Sequence, residues 1–154
     1  MISVGAVGGQ PSVKSILPNF LVTVVIPTLA ADSRLLECVQ SLLRQTRQDL
    51  EVVIVDNSGL SRVRGNGTGA GARVIENTRN AGFGAAINQG LRASTSPYVA
   101  TLNDDAVADP GWLDALVTAL EARPDAGMCA SQVRLFGEGR LDSAGMLVAR
   151  DGSS

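Results

Sequence analysis

The chain has 154 residues, 45 % of them hydrophobic, and a formal net charge of −2. That length suits one domain with enough core to fold alone, and the near-neutral charge offers no broad surface for nucleic acid or another polyanion. There is no histidine, which excludes His-based triads, His-ligated zinc and histidine general bases. Chemistry must rest on carboxylates, hydroxyls, backbone groups or a bound metal.

Residues 1–19 are rich in Gly, Ser and Pro without clear periodicity and read as a loosely ordered arm. They lack a basic segment leading into an apolar core, so no signal peptide is expected. The longest apolar run, Phe20 to Ala31, is broken by Thr23, Pro27 and Thr28 and is too short for a membrane span. Within it Leu21 to Ile26 is β-branched and apolar, as a strand buried on both faces should be, and Pro27 is expected to end it. Asp32 or Ser33 can cap the next helix, whose apolar face carries Leu35, Leu36, Val39, Leu42 and Leu43. Glu51 to Val55 is a second buried strand, ending at Asp56-Asn57-Ser58.

The glycine-dense segment Gly59 to Gly71 reads as a flexible loop. It contains a loose G-x-G-x-x-A match at Gly67–Ala72, but no strand leads into it and no helix follows, so a dinucleotide site is not expected. Ala72 to Asn77 is a third strand. The following helix places Phe83, Ile87 and Leu91 on one face, with Ala86 and Gly90 beside them as small residues that allow close packing on the sheet. Before it, Asn80 to Gly84 brings glycines and free helix-terminal amides together, which suits either a phosphate or a plain flexible turn. Tyr98 to Leu102 is the fourth strand and stops at Asn103-Asp104-Asp105. Asp109-Pro110 is expected to open the next helix as N-cap and first residue; it buries Trp112, Leu113, Leu116, Val117 and Leu120. Gly127 to Val133 and Leu141 to Ala149 are further strand candidates. Cys38, on a helix face, and Cys129, in the first of these strands, are expected as free thiols in a reducing cytosol.

The order is that of an α/β layer with a largely parallel sheet. Three strands end in polar residues: Pro27-Thr28, Asp56-Asn57-Ser58 and Asn103-Asp104-Asp105. In a parallel sheet all three clusters lie along the ligand-binding edge. Adjacent acids repel unless a cation, a solvent shell or a proton separates them, and a divalent cation shared with a phosphate answers that need.

Together the segments resemble glycosyltransferase family 2, nucleotide-sugar transferases of the GT-A fold, with rhamnosyltransferase-like members the most similar. The resemblance runs from Val22 to about Ala149. It rests on VTVVIPTLA (Val22–Ala30), LLECVQSLLRQT (Leu35–Thr46), EVVIVDNSG (Glu51–Gly59), ENTRNAGFGAAINQG (Glu76–Gly90) and YVATLNDDA (Tyr98–Ala106). It implies a Rossmann-like three-layer sandwich with a mostly parallel sheet. It also implies inverting, Mg2+- or Mn2+-dependent transfer from a UDP- or dTDP-sugar to the hydroxyl of a glycan or lipid-linked acceptor, in cell-surface polysaccharide or glycan synthesis.

Pro27 and Thr28 would line the nucleotide pocket, Asp56 would accept from the base, and Asn80 and Asn88 match positions near the nucleotide. Asn103-Asp104-Asp105 matches the D-x-D motif with Asn first, which makes Asp105 the metal ligand, sets Asn103 toward the ribose and places Asp104 beside the nucleotide sugar. If extended geometry persists through the cluster, Asn103 and Asp105 face one way and Asp104 the other; a tight turn after Leu102 would instead bring Asp104 to the metal. Leu29 stands where an aromatic residue is frequent.

The family's acceptor half and its general base are expected beyond Ser154, so residues 20–154 read as the nucleotide-sugar-binding part of a truncated GT-A domain that transfers poorly alone. The expected location is the cytoplasm or the inner membrane face. A non-catalytic nucleotide-binding module and a nucleotidyltransferase are the alternatives; no glycine-rich, basic triphosphate loop favours the second.

Overall fold

The computed structural model of the protein describes residues 2–3 and 20–143. In chain order the elements are β1 (Ile2–Ser3), β2 (Val22–Thr28), α1 (Ser33–Leu43), β3 (Leu50–Asp56), α2 (Arg62–Asn66), β4 (Arg73–Glu76), α3 (Phe83–Ala93), β5 (Tyr98–Thr101), α4 (Trp112–Glu121), β6 (Val133–Arg134) and β7 (Leu141–Ser143). The main sheet has the order β1-β5-β2-β3-β4, with β5, β2, β3 and β4 parallel and β1 antiparallel to β5. The chain steps from β2 to β3 to β4 in one direction. It then returns through α3 to β5 on the far side of β2, so the strand order reverses between β2 and β5.

Alternate residues of the central strands feed two cores, as the two-residue period requires. Val22, Val24, Ile26, Val52 and Ile54 face Leu35, Cys38, Val39 and Leu42 of α1 and Leu113, Leu116, Val117 and Leu120 of α4. Val25, Val53, Val55 and Val99 on the other side meet Ala86 and Ile87 of α3. This is the expected α/β three-layer arrangement of the GT-A type. Both cysteines are free, Cys38 buried and Cys129 partly so.

Several expectations are corrected. Pro27 lies inside β2, paired with Val55, rather than ending the strand. Alternate residues of a strand bond to opposite neighbours. The Val25 carbonyl accepts from Leu102 N–H at 3.1 Å, so position 27 also addresses β5, where the missing proline N–H falls just past the last ladder bond. Ile2–Ser3 pairs with β5, within what reads as a loose arm.

On α3 the close contact is made by the small residues Ala86 and Gly90, as expected, with Ile87 packed beside them, whereas Phe83 and Leu91 are 60 % and 39 % exposed. A Cβ on Gly90 would lie 2.3 and 2.7 Å from the two methyls of Val25, so the helix sits as low as a glycine allows.

The start of α4 lies at Trp112 with Gly111 as its cap residue, not at Asp109-Pro110. Gln45, only 2 % exposed, does the capping from the loop after α1. Its Oε1 accepts from Leu113 N–H at 3.1 Å and its Nε2 donates to the Asp109 carbonyl at 2.7 Å. At the start of α1 the cap is Asp32. Residues 127–132 form no strand; Trp112 Nε1 donates to Ser131 Oγ at 2.7 Å and Cys129 Sγ lies 3.7 Å from the Leu116 carbonyl, which ties the segment to α4. The strand candidate at Leu141 to Ala149 appears as β7 over its first three residues; the remainder lies outside the described residues.

The expected loop at Gly59 to Gly71 is instead folded around Asp56. This carboxylate is 1 % exposed. Its Oδ1 accepts from the Ser58 N–H at 3.0 Å and hydroxyl at 2.6 Å, and its Oδ2 from the Val63 N–H at 2.9 Å. These bonds hold the short helix α2 and bury Val63. Burial opposes the charge on Asp56, but the bonds from Ser58 and Val63 outweigh it and hold the carboxyl below its usual range.

Two predictions follow from this packing. Gly90→Ala should lower unfolding free energy by about 1–2 kcal/mol, because overpacking exceeds the gain in helix propensity. Adding Val25→Ala should cost less than the sum of the two single changes, read by urea denaturation. Asp56→Asn should lose about 1–3 kcal/mol at neutral pH. A depressed carboxyl stabilises fully above its unfolded pKa, and that contribution is lost as pH falls through the folded value. The gap between the two proteins' melting temperatures should therefore narrow below about pH 4.

Candidate functional site

The strand order reverses between β2 and β5, and past Leu102 no ladder bond holds their ends together. An open α/β sheet binds its ligands at such a point. From β2 comes Thr28, 3 % exposed. From the segment after β5 comes Asp104, whose Oδ2 accepts from the Thr28 hydroxyl at 2.6 Å across the opening.

The cluster after β5 does not stay extended. The Ala106 N–H donates to the Asn103 carbonyl at 3.2 Å, so Asp104 and Asp105 occupy the two middle positions of a turn. The alternation of faces expected for Asn103, Asp104 and Asp105 is therefore replaced by the tight-turn alternative. Asp104 is half-buried against Thr28. Asp105 is exposed, with no hydrogen bond or ion pair among the described residues.

Beneath the turn, Cys38 Sγ lies 3.4 Å from the Asn103 carbonyl. Burial, followed by the charges of Asp104 and Asp105, pushes this thiol up to about 12, so it stays neutral and can donate. The nearby Arg34 is engaged by Asp32 at 2.7 Å. Among the described residues no arginine or lysine forms an ion pair with Asp104 or Asp105.

A cleft of about 370 Å³ opens here, lined by Pro27, Thr28, Leu29, Asn57, Asn80, Gly82, Phe83, Asn103, Asp104 and Asp105. Six of the expected site residues thus converge: Pro27, Thr28, Asn80, Asn103, Asp104 and Asp105. Asp56 and Asn88 are not among the lining residues; Asp56 is enclosed by its own loop, and Asn88 is exposed on α3. Gly82, at φ +87°, adopts a conformation few side chains tolerate and turns the chain into α3.

Sequence reasoning passed over Asn57 and Phe83 as site residues. Asn57 is 3 % exposed and bonded to Asn77, Asn80, Ala81 and Gly82; its place beside Asp56 at a strand end was the available signal. A second depression of about 410 Å³ lies at the N-terminal ends of β3 and β4 and is lined by Leu42, Leu43, Leu50 and the Glu51–Arg73 pair among others. It lies away from the polar strand ends and presents no comparable pair of unpaired acids.

Among the described residues no three His, Cys, Asp or Glu side chains gather as a ready metal cage. The donors present still fit Mg2+ or Mn2+. Such ions take one or two carboxylates and complete their shell with water and substrate phosphates, and Asp105 has both oxygens uncommitted.

Comparison with known proteins agrees with this fold. Residues 23–148 match the model of glycosyl transferase family 2. The chain is 35 % identical over 94 residues to a glucosyl-dolichyl phosphate glucuronosyltransferase of Haloferax volcanii, covering 58 % of this chain and 30 % of that protein. In structure it resembles S. aureus TarS 1-349 in complex with UDP-GlcNAc, with TM-score 0.56, 21 % identity and coverage of 67 % of this chain and 32 % of that one. It also resembles a mannosyltransferase of Pyrobaculum calidifontis in complex with GDP-Man and Mn2+, with TM-score 0.50, 24 % identity and coverage of 72 % and 36 %. The chain spans about a third of the length of the curated relatives it matches. On the family match over most of its length, the chain belongs to glycosyl transferase family 2.

Proposed function

We propose that the protein binds a nucleoside-diphosphate sugar, UDP- or dTDP-linked, across the crevice between β2 and β5. It would serve the donor side of an inverting, metal-dependent transfer to the hydroxyl of a glycan or lipid-linked acceptor. The setting would be cell-surface polysaccharide or glycan synthesis, in the cytoplasm or at the inner membrane face. No helix among the described residues is long and apolar enough to cross a membrane.

One observation carries the reading: at the switch point Asp104 is fixed by Thr28 at 2.6 Å, while the adjacent Asp105 projects from the same turn with no partner. Two acids with no ion pair of their own at the mouth of a cleft, the nearby Arg34 being bonded to Asp32, leave a binding site for a hard cation and the diphosphate it would bridge. Asp105 is assigned as the inner ligand because both its oxygens are uncommitted. Asp104, restrained by Thr28, supports the turn and is the second oxygen donor. Pro27, Thr28 and Asn103 flank the nucleotide, and Asn80 meets it from the α3 side. Asp56 would reach the base only through the lone pairs left by Ser58 and Val63, and Asn88 only after a movement of α3.

A divalent cation held there would offset charge developing on the leaving diphosphate, an effect of several kcal/mol in such sites. The chain's own part is to orient the diphosphate and to keep the turn closed over Cys38. No general base is assigned among the described residues.

The test is calorimetry with UDP and Mn2+. Affinity should fall at least about tenfold when Mn2+ is replaced by a chelator. Asp105→Asn should abolish that difference, and Asp104→Asn should weaken it only modestly. Equal affinity with and without metal, or a preference for NAD over UDP, would sink the proposal. A variant pair with the opposite ranking would move the inner ligand to Asp104. Product analysis with a nucleotide sugar against a nucleoside triphosphate separates sugar transfer from nucleotidyl transfer.

A further inference from the structure

Asn57 closes β3 with its side-chain amide held at both ends by backbone groups whose polarity is fixed. The Ala81 N–H can only donate, and it donates to Asn57 Oδ1 at 2.9 Å. The Gly82 carbonyl can only accept, and it lies 3.3 Å from Asn57 Nδ2. Asn77 adds a second donor to Asn57 Oδ1 at 2.9 Å and is itself doubly bonded to Gln89 of α3, at 2.8 and 2.9 Å. The orientation of the Asn57 amide is therefore determined.

That orientation determines the next one. Asn57 Nδ2 donates to Asn80 Oδ1 at 2.9 Å, and the Gly82 N–H donates to the same oxygen at 2.8 Å. Two donors hold the Asn80 carbonyl inward, so its Nδ2 is turned outward. Asn80 is exposed and lines the cleft, and its Nδ2 has no partner among the described residues.

We infer that Asn57 is a positioning residue, which locks Asn80 with its amide N–H2 toward the cleft as a dedicated donor to the phosphoryl oxygens of a bound nucleoside diphosphate. The inference rests on the diphosphate reading above and specifies which group meets the diphosphate on the α3 side. An unrestrained asparagine can turn either its oxygen or its nitrogen to a ligand. Ribose hydroxyls both donate and accept, so they gain nothing from such a lock. Base carbonyl oxygens and ionised phosphoryl oxygens both only accept, but the phosphoryl oxygens carry charge, which makes a hydrogen bond roughly twice as strong, so they gain the most from a donor fixed before binding.

The first test needs no ligand. Side-chain amide signals are assigned by NMR, with Asn80→Ala identifying its own pair by their loss. In the unsubstituted protein the Asn57 N–H2 should exchange slowly with water and the Asn80 N–H2 quickly. In Asn57→Asp the substituted carboxylate accepts where the amide donated, so Asn80 should rotate and its N–H2 become protected. A protected Asn80 N–H2 in the unsubstituted protein, or no change on substitution, overturns the lock. Should Asn57→Asp fail to fold, Asn57→Gln displaces the amide by one methylene and should slow or shift the Asn80 signals; unchanged signals overturn the inference equally.

The second test is Mn2+-dependent UDP affinity. Asn80→Ala and Asn57→Asp should each lose roughly tenfold, as expected for a hydrogen bond to a charged group. The double variant should lose no more than the weaker single one. Losses that multiply would show that Asn57 acts apart from Asn80 and overturn the inference. No UDP binding by the unsubstituted chain overturns the nucleotide reading and the phosphoryl acceptor with it, while amide exchange still decides the lock itself.

Discussion

The structure depends on a missing donor. Pro27 offers no N–H on the side of β2 that faces β5, one step beyond the Leu102–Val25 bond. On its other side β2 continues in register with β3 as far as Thr28 and Asp56. The sheet is thus sealed between β2 and β3 and open between β2 and β5, where the order of the described strands reverses. The cleft follows from that asymmetry. A residue with an N–H at position 27 could extend the ladder toward the segment after β5 and draw the two strand ends together.

Two kinds of polar arrangement meet at the cleft. On the β5 side the carboxylates have no ion pair of their own: Asp104 is held by a neutral hydroxyl, the underlying Cys38 stays protonated, and the nearby Arg34 is bonded to Asp32. On the β4 and α3 side the amides are compensated almost completely by one another, through Asn57, Asn77 and Gln89. The first arrangement accumulates charge that a cation can relieve. The second spends its hydrogen bonds on geometry, so its outward-facing groups are fixed in direction. A diphosphate bridging the two sides would meet charge through a metal on one side and oriented donors on the other.

Legibility in the sequence followed the range of the interactions. Strands β2, β3 and β5 were readable because β-branched runs buried on both faces carry their signal locally, and their polar ends announced the site at Thr28, Asn103, Asp104 and Asp105. Asp32 was readable as a cap because its bonds reach only to residues 34 and 35. The misplaced start of α4 has the opposite cause: its cap is Gln45, more than sixty residues away in sequence. The fold of the segment after β3 was hidden because glycine density masks a helix held by one buried carboxylate. On α3 the small residues Ala86 and Gly90 announce the close approach to the sheet, whereas apolar spacing alone does not tell the packed Ile87 from the exposed Phe83 and Leu91. The place of Asn57 at a polar strand end was readable, but its role was not, because its partners lie on a loop that only the folded sheet brings near.

The seat of α3 on Val25 also ties the height of the cleft wall to the core. Gly90 lies seven residues from Phe83, so about 10 Å of helix separates the contact from the cleft rim. With the axis resting on a methyl pair near one end, a small rise there tips the other end, as a beam tips on its bearing. The rim carries Gly82 and, just before it, Asn80. The amide wall of the cleft is therefore coupled to the packing of Gly90, Ala86 and Ile87 on β2 and β3, so a substitution at that bearing would shift the wall without changing any group that lines the cleft.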